Sequence, residues 1–187
     1  MKISEQVIVA LGFALTFLAI LNSRSMKAIP ETEEIIPAES AITSASAPCL
    51  QLYYFIEKYA AEYKIPRNYA YGIAHEETGY QGPLHWKYNH AQGSHAGALG
   101  PMQIMPATAK MMWPDSTISK TRLRNDIEFN VRTSMKLLRY LHDRYGDWKI
   151  VFGCYNTGKK LVNKYALRVY NYKFQPFKED EYAKNRK

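Results

Sequence analysis

The sequence predicts an all-α domain. Apolar residues recur at three- and four-residue spacings through successive segments, and capping residues and glycines punctuate those segments. Alternating strand patterns are scarce. Leu50 to Lys64 carries Leu52, Phe55, Ile56, Tyr59 and Ala60 on one stripe and is stopped by Pro66. Asn68 to Thr78 repeats the pattern with Ala70, Ile73 and Ala74, and Gly79 follows as a stop. Pro106 suits the first turn of a helix reaching Met112, since its missing N–H is unpaired there in any case. Asn125 or Asp126 caps a long helix through Ile127, Val131, Met135, Leu138 and Leu141, closed by Gly146. Asp147 caps the next, Trp148 to Tyr155, and a last helix is expected over Lys160 to Tyr172.

Four regions follow from composition. Residues 1–25 hold an uncharged run, Val7 to Leu21, behind Met1-Lys2. As a helix that run spans roughly 22 Å, short of the roughly 30 Å hydrocarbon core of a bilayer. The length fits a secretory signal cut after Ser25, while Arg24 and Lys27 fit an uncleaved membrane anchor. Either reading implies export across the inner membrane to the cell envelope, released or tethered. No cysteine lies near the end of the apolar run, so a bacterial lipoprotein is not expected. Residues 26–48 read as a flexible linker, with Pro30, Pro37 and Pro48, acidic residues between Glu31 and Glu34, and the small polar run SAITSASA. The folded domain is expected over 49–175, and 176–187 is a tail of mixed charge.

The net charge of +8, from 25 basic and 17 acidic residues, favours an anionic partner. The basic residues form no Lys/Arg block, so nucleic acid is not expected. Fifteen Tyr, 7 Phe and 3 Trp suit a core or a groove that stacks on sugar rings. Cys49 and Cys154 lie 105 positions apart and read as a bridge or as two free thiols. A bridge over so long a loop could contribute about 4–5 kcal/mol. His75, His85, His90 and His95 cluster in sequence but present no ligand pair at firm helical spacing, so neither a metal nor another cofactor is expected.

Chemistry centres on Glu77. It continues the Ala70, Ile73, Ala74 stripe at i+7, where withdrawal from water disfavours ionisation, as a general acid near neutral pH requires. From this helix alone, a surface glutamate in a frayed turn fits equally well. GALG, at Gly97 to Gly100, puts glycines where backbone must approach something closely, and Met102, Gln103 and Met105 follow as apolar walls with one amide. Tyr155 and Asn156, before Gly158, offer a phenol and an amide able to hold a carboxylate.

Taken in order, ETGY, SHAGALGPMQIMPATA, NVRTSMKLL and CYNTG resemble the soluble lytic transglycosylase family over roughly Leu50 to Tyr172. That family typically has Glu-Ser, then Ser-x-x-Gly-Ala-x-Gly-Leu-Met-Gln-x-Met-Pro-x-Thr-Ala, then Asn-Ile-x-x-Gly, then Ala-Tyr-Asn-Ala-Gly. The resemblance implies a lysozyme-like helical domain with a deep cleft. It implies cleavage of the β-1,4 bond between N-acetylmuramic acid and N-acetylglucosamine, leaving a 1,6-anhydromuramyl end. Glu77 falls on the single acid/base, and Thr78 stands where Ser is usual. Ser94, Met102, Gln103, Tyr155 and Asn156 fall on substrate-binding positions, with Tyr155 on the tyrosine that contacts the carboxylate. Asn130 falls on a structural asparagine at the head of the long helix.

Pro101, Ser134 and Thr157 depart from the family's Leu, Gly and Ala. Residues 79–93 form a longer spacer than usual, in which Tyr80, Trp86 and Tyr88 read either as aromatics that stack on substrate sugars, the favoured reading, or as a packed lid. The acidic Glu-Thr that larger relatives carry before the last helix is missing. The expected partner is the peptidoglycan glycan strand, met by a monomer. Wall remodelling, a secretion or conjugation machine and a phage lysin all fit such a domain. A hydrolytic muramidase, recruiting Asp115 or Glu128 as a second carboxylate, and a non-catalytic wall-binding or assembly protein are the rival readings.

Overall fold

A computed structural model describes residues 43–175. Segment 1–25, the linker up to residue 42 and the tail 176–187 lie outside the described residues, and with them the signal-or-anchor reading. Among the described residues the chain forms seven helices: α1 (Pro48–Glu62), α2 (Arg67–Thr78), α3 (Pro106–Met112), α4 (Lys120–Asn125), α5 (Ile127–Tyr145), α6 (Trp148–Thr157) and α7 (Lys164–Asn171). They contain no strand, only isolated bridges of Leu99 to Gly93 and to Ile104. None of these helices is long and apolar enough to cross a membrane.

The long helix α5 is the axis of the core. Asp126 caps it by accepting from the Phe129 N–H at 2.9 Å, and Gly146 ends it. Val131, Met135 and Leu138 are wholly buried along it. Around them gather Leu52 and Ile56 of α1, Ile73 and Ala74 of α2, Val151 and Phe152 of α6, and Ala166 and Val169 of α7. Each large side chain so buried contributes about 1.5–3 kcal/mol relative to exposure.

Two helices depart from the periodicity. The short α4 was not expected, and Ser119 starts it by accepting from Arg122 N–H at 3.0 Å. The last helix begins at Lys164, not Lys160, because Asn163 takes the cap position and accepts from Ala166 N–H at 2.8 Å. The residues before it are occupied in crossing α6. There the Leu161 carbonyl lies so close to Gly153 that a Cβ would stand 1.8 Å from its oxygen. Cys49 and Cys154 are free thiols, which resolves the two readings of that pair.

Three polar residues are fully buried on α5, and each ties a different segment to it. Thr133 accepts the Trp113 indole N–H at 2.9 Å, and Ser134 meets the Tyr155 hydroxyl at 2.9 Å. Asn130 donates to the carbonyls of Leu99 and Leu123, each at 2.9 Å, and accepts from Met102 N–H at 2.8 Å. Its replacement by alanine leaves the Met102 N–H without its acceptor in a dry interior and takes a donor from the carbonyls of Leu99 and Leu123, the first of which keeps the Ile104 N–H. Asn130→Ala should therefore cost about 2–3 kcal/mol, read as a fall in the urea midpoint. A loss below about 1 kcal/mol would mean that water replaces the amide.

Candidate active site

Glu77 occupies the last turn of α2, half-buried. Its Oε1 accepts from the Tyr165 hydroxyl of α7 at 2.6 Å. Among the described residues no other hydrogen bond reaches this carboxyl, so Oε2 remains available. Three influences act on its proton. Burial is the largest and opposes ionisation; the Tyr165 bond favours it; the adjacent Glu76 opposes it. The net result is a carboxyl pushed from 4.5 up to about 7. The C-terminal end of the helix dipole acts in the same sense as burial. A carboxyl so placed carries its proton over much of the neutral range and can give it up.

Tyr155 does not make the contact that the resemblance implies. Its hydroxyl donates to the Met102 carbonyl at 2.7 Å. That uses its one proton, so Ser134 is the donor in the 2.9 Å contact between the two hydroxyls. The carboxyl is held instead by Tyr165, which sequence reasoning missed. Its signal was faint: a tyrosine beside Ala166 on the buried stripe of the last helix, 88 residues from Glu77. Burial, and then the Glu77 charge, keep both phenols protonated well above the ordinary tyrosine range.

The Gly97–Ile104 loop is fastened from three helices. Asn130 of α5 holds Met102 N–H, and Tyr155 of α6 holds Met102 C=O. Thr78 of α2, next to Glu77, places its Oγ1 3.0 Å from the Pro101 carbonyl. Met102 is therefore a correction to the sequence reading. Its side chain is fully buried, and its role is carried by its backbone. Gln103 is half-buried with φ of 47°, and its amide donates to the Gly100 carbonyl at 2.9 Å. Ser94 is exposed and closes its own turn, accepting from Ala98 N–H at 3.0 Å. Asn156 is exposed, and its side-chain oxygen accepts from Asn163 at 3.0 Å.

The aromatic spacer also differs from expectation. Tyr80 and Tyr88 are core residues, exposed by 1% and 6%. Tyr80 packs on Tyr71 and Tyr88 and donates to the Cys49 carbonyl at 2.7 Å. Tyr88 reaches Thr78 Oγ1 at 2.7 Å. Neither ring has a free face for a sugar, because burial against α1 and α2 is worth more to it than solvent exposure. Trp86 is the spacer aromatic at the surface, 38% exposed.

Neither carboxylate of the hydrolytic reading joins this group. Glu128 accepts from the Tyr59 hydroxyl at 2.5 Å. Asp115 lies in a surface hollow of about 390 Å³ with Pro106, Lys110, Ser116, Thr117 and Ile118, which includes neither Glu77 nor its partners. Among the described residues, no group of three or more His, Cys, Asp or Glu is placed to hold a metal.

Residues 54–178 match the transglycosylase SLT domain family. Among solved structures, the 70 kDa soluble lytic transglycosylase of Escherichia coli is 27% identical over 62% of this chain and 18% of its own, with a TM-score of 0.48. Its complex with bulgecin A matches at 29% identity over the same shares, with a TM-score of 0.47. An inactive mutant of lytic transglycosylase Slt from Pseudomonas aeruginosa matches at 19% identity over 70% of this chain and 22% of its own, with a TM-score of 0.47. The matched region thus spans less than a quarter of those longer chains.

The buried carboxyl makes stability depend on pH with a definite sign. Glu77 binds its proton more tightly folded than unfolded, so its contribution falls as pH rises from 4.5 to about 7. Glu77→Gln abolishes that loss. The variant should match wild type at pH 4 and exceed it at pH 8 by on the order of 2 kcal/mol in urea unfolding. An offset independent of pH would contradict a buried, raised carboxyl. Tyr165→Phe removes the one donor to the carboxylate and should move the Glu77 titration upward, read by carboxyl 13C NMR.

Proposed function

This chain belongs to the transglycosylase SLT family, and on that premise we propose that it is a peptidoglycan lytic transglycosylase using Glu77 as its single acid/base. The observation that carries the reading is the state of that carboxyl. It is half-buried, raised to about 7, hydrogen-bonded by one phenol and open at its second oxygen. Such a group can act first as an acid and then, once ionised, as a base.

In the first step Glu77 gives its proton to the glycosidic oxygen between N-acetylmuramic acid and N-acetylglucosamine. The C1–O bond breaks, and the oxocarbenium-like charge at C1 is relieved by the N-acetyl carbonyl of the same sugar. In the second step the Glu77 carboxylate takes the proton of the muramyl C6 hydroxyl. The freed oxygen closes on C1, giving a 1,6-anhydro end and restoring the acid. Water does not enter, so no second carboxylate is needed to activate it. This accords with Glu128 being bonded to Tyr59 and Asp115 lining a separate hollow. The Tyr165 bond stabilises the ionised form between the two steps. The excess of basic residues suits an anionic wall polymer, and a substrate of that kind requires that the domain act in the cell envelope.

Digestion of isolated sacculi, followed by mass spectrometry, tests the reaction. The products should carry anhydromuramyl ends. Products 18 Da heavier would mean hydrolysis, and no release at all would leave a wall-binding protein. Glu77→Gln should lower turnover by at least about a thousandfold while the far-ultraviolet circular dichroism is unchanged. A variant that still cleared peptidoglycan would mean that the acid lies elsewhere.

A further inference from the structure

Two carboxylates adjoin at the end of α2, and α7 answers both. Tyr165 donates to Glu77 Oε1 at 2.6 Å. One turn further on, Arg168 grips Glu76, with Nε and Nη2 each 2.7 Å from Oε2. The pair is lopsided in its exposure: the Glu76 side chain is 13% exposed and that of Arg168 is 57% exposed. Leaving a covered carboxylate without its cation is costly, so this contact is more than a loose surface ion pair.

Such an approach of α7 requires the glycine at position 72. A Cβ there would stand 2.9 Å from Tyr172 Cβ and 3.2 Å from the Val169 carbonyl oxygen. The groups that bear on the Glu77 carboxyl come from three helices: Glu76 from α2, Tyr165 from α7 and Tyr155 from α6. Arg168 reaches it only through Glu76. His75, on the same helix, faces elsewhere, with its ring at the Tyr80 carbonyl and against Tyr172.

We propose that Arg168 is a positioning residue for the general acid: by pairing with Glu76 it offsets the charge beside Glu77, so that α7 braces the acid at two points. The proposal rests on Glu77 being the acid of the reaction. An unopposed Glu76 would repel the carboxylate that must form after the first proton transfer. Glu77 would then hold its proton too tightly to serve as the base of the second step. With the pair intact, Arg168 offsets part of the Glu76 charge, and burial and the Tyr165 bond remain the larger influences on the proton.

The full chain and four variants test this by two independent readings, carboxyl 13C titration of Glu77 and the pH profile of sacculus digestion. Arg168→Leu should move the Glu77 titration and the alkaline limb of the profile upward by about half to one pH unit. Glu76→Gln, which leaves the guanidinium unopposed, should move both downward. The double variant Glu76→Gln/Arg168→Leu should return to within about 0.3 unit of wild type, and Arg168→Lys should stay close to it. If Arg168→Leu does not fold, Glu76→Gln and the double variant decide the matter. A Glu77 titration unchanged in these variants, or a shift in Arg168→Leu that the second substitution does not reverse, would reduce the pair to a structural tie. If wild type digests nothing, the catalytic reading fails, while the titration still decides whether Arg168 offsets the charge beside Glu77.

Discussion

A single buried amide holds the site together. Asn130 bonds a carbonyl and an N–H of the Gly97–Ile104 loop, which has no regular structure of its own, and a carbonyl of the short α4. Without it, the Gly97–Ile104 loop would have to find water for backbone groups that lie in the dry interior. With it, the Met102 peptide becomes a fixed point. The Met102 carbonyl in turn orients Tyr155, whose hydroxyl is backed by Ser134. Thr78 ties the neighbouring Pro101 carbonyl to the helix that carries Glu77. Three helices thus converge on one peptide turn, and the acid sits beside the place where they meet.

The chemistry of Glu77 is a contest between desolvation and one hydrogen bond. Burial and the end of the helix dipole oppose its charge, and Tyr165 opposes them. A carboxyl left to burial alone would be a poor base. One held by several donors would be a poor acid. A single phenol, itself kept protonated by burial, leaves the group between these extremes. This balance depends on how closely α7 lies against α2, and therefore on Gly72 and on the crossing of α6 at Gly153.

The departures from the family pattern take on physical sense in this frame. Ser134, where glycine is usual, supplies the hydroxyl that donates to Tyr155. Pro101 contributes a carbonyl, which proline retains, and not the N–H that it lacks. The long spacer was legible as aromatic but not as inward-facing. Tyr80 and Tyr88 read as sugar shelves because residues outside a helix carry no periodicity to reveal which side is buried. In the fold they complete the core beside α1 and α2.

By itself the sequence determined that the described domain is helical. The three-to-four-residue apolar spacing, together with Asp126, Asp147 and Gly146, is a local signal, and local hydrogen bonds obey it. It also marked Glu77 as the residue to examine, since a carboxylate on an apolar stripe stands out at short range. Only the tertiary structure decided what that carboxylate touches. Tyr165 and Arg168 lie 88 and 92 positions from their partners, and nothing in their own neighbourhood distinguishes them from other polar residues of an amphipathic helix. Met102 likewise looked like a wall and proved to be a buried anchor, because its role lies in a backbone carbonyl that every residue shares. Periodicity reports which face of a helix is dry; which helix that face meets is set by packing among distant segments, and the proton on Glu77 answers to that packing.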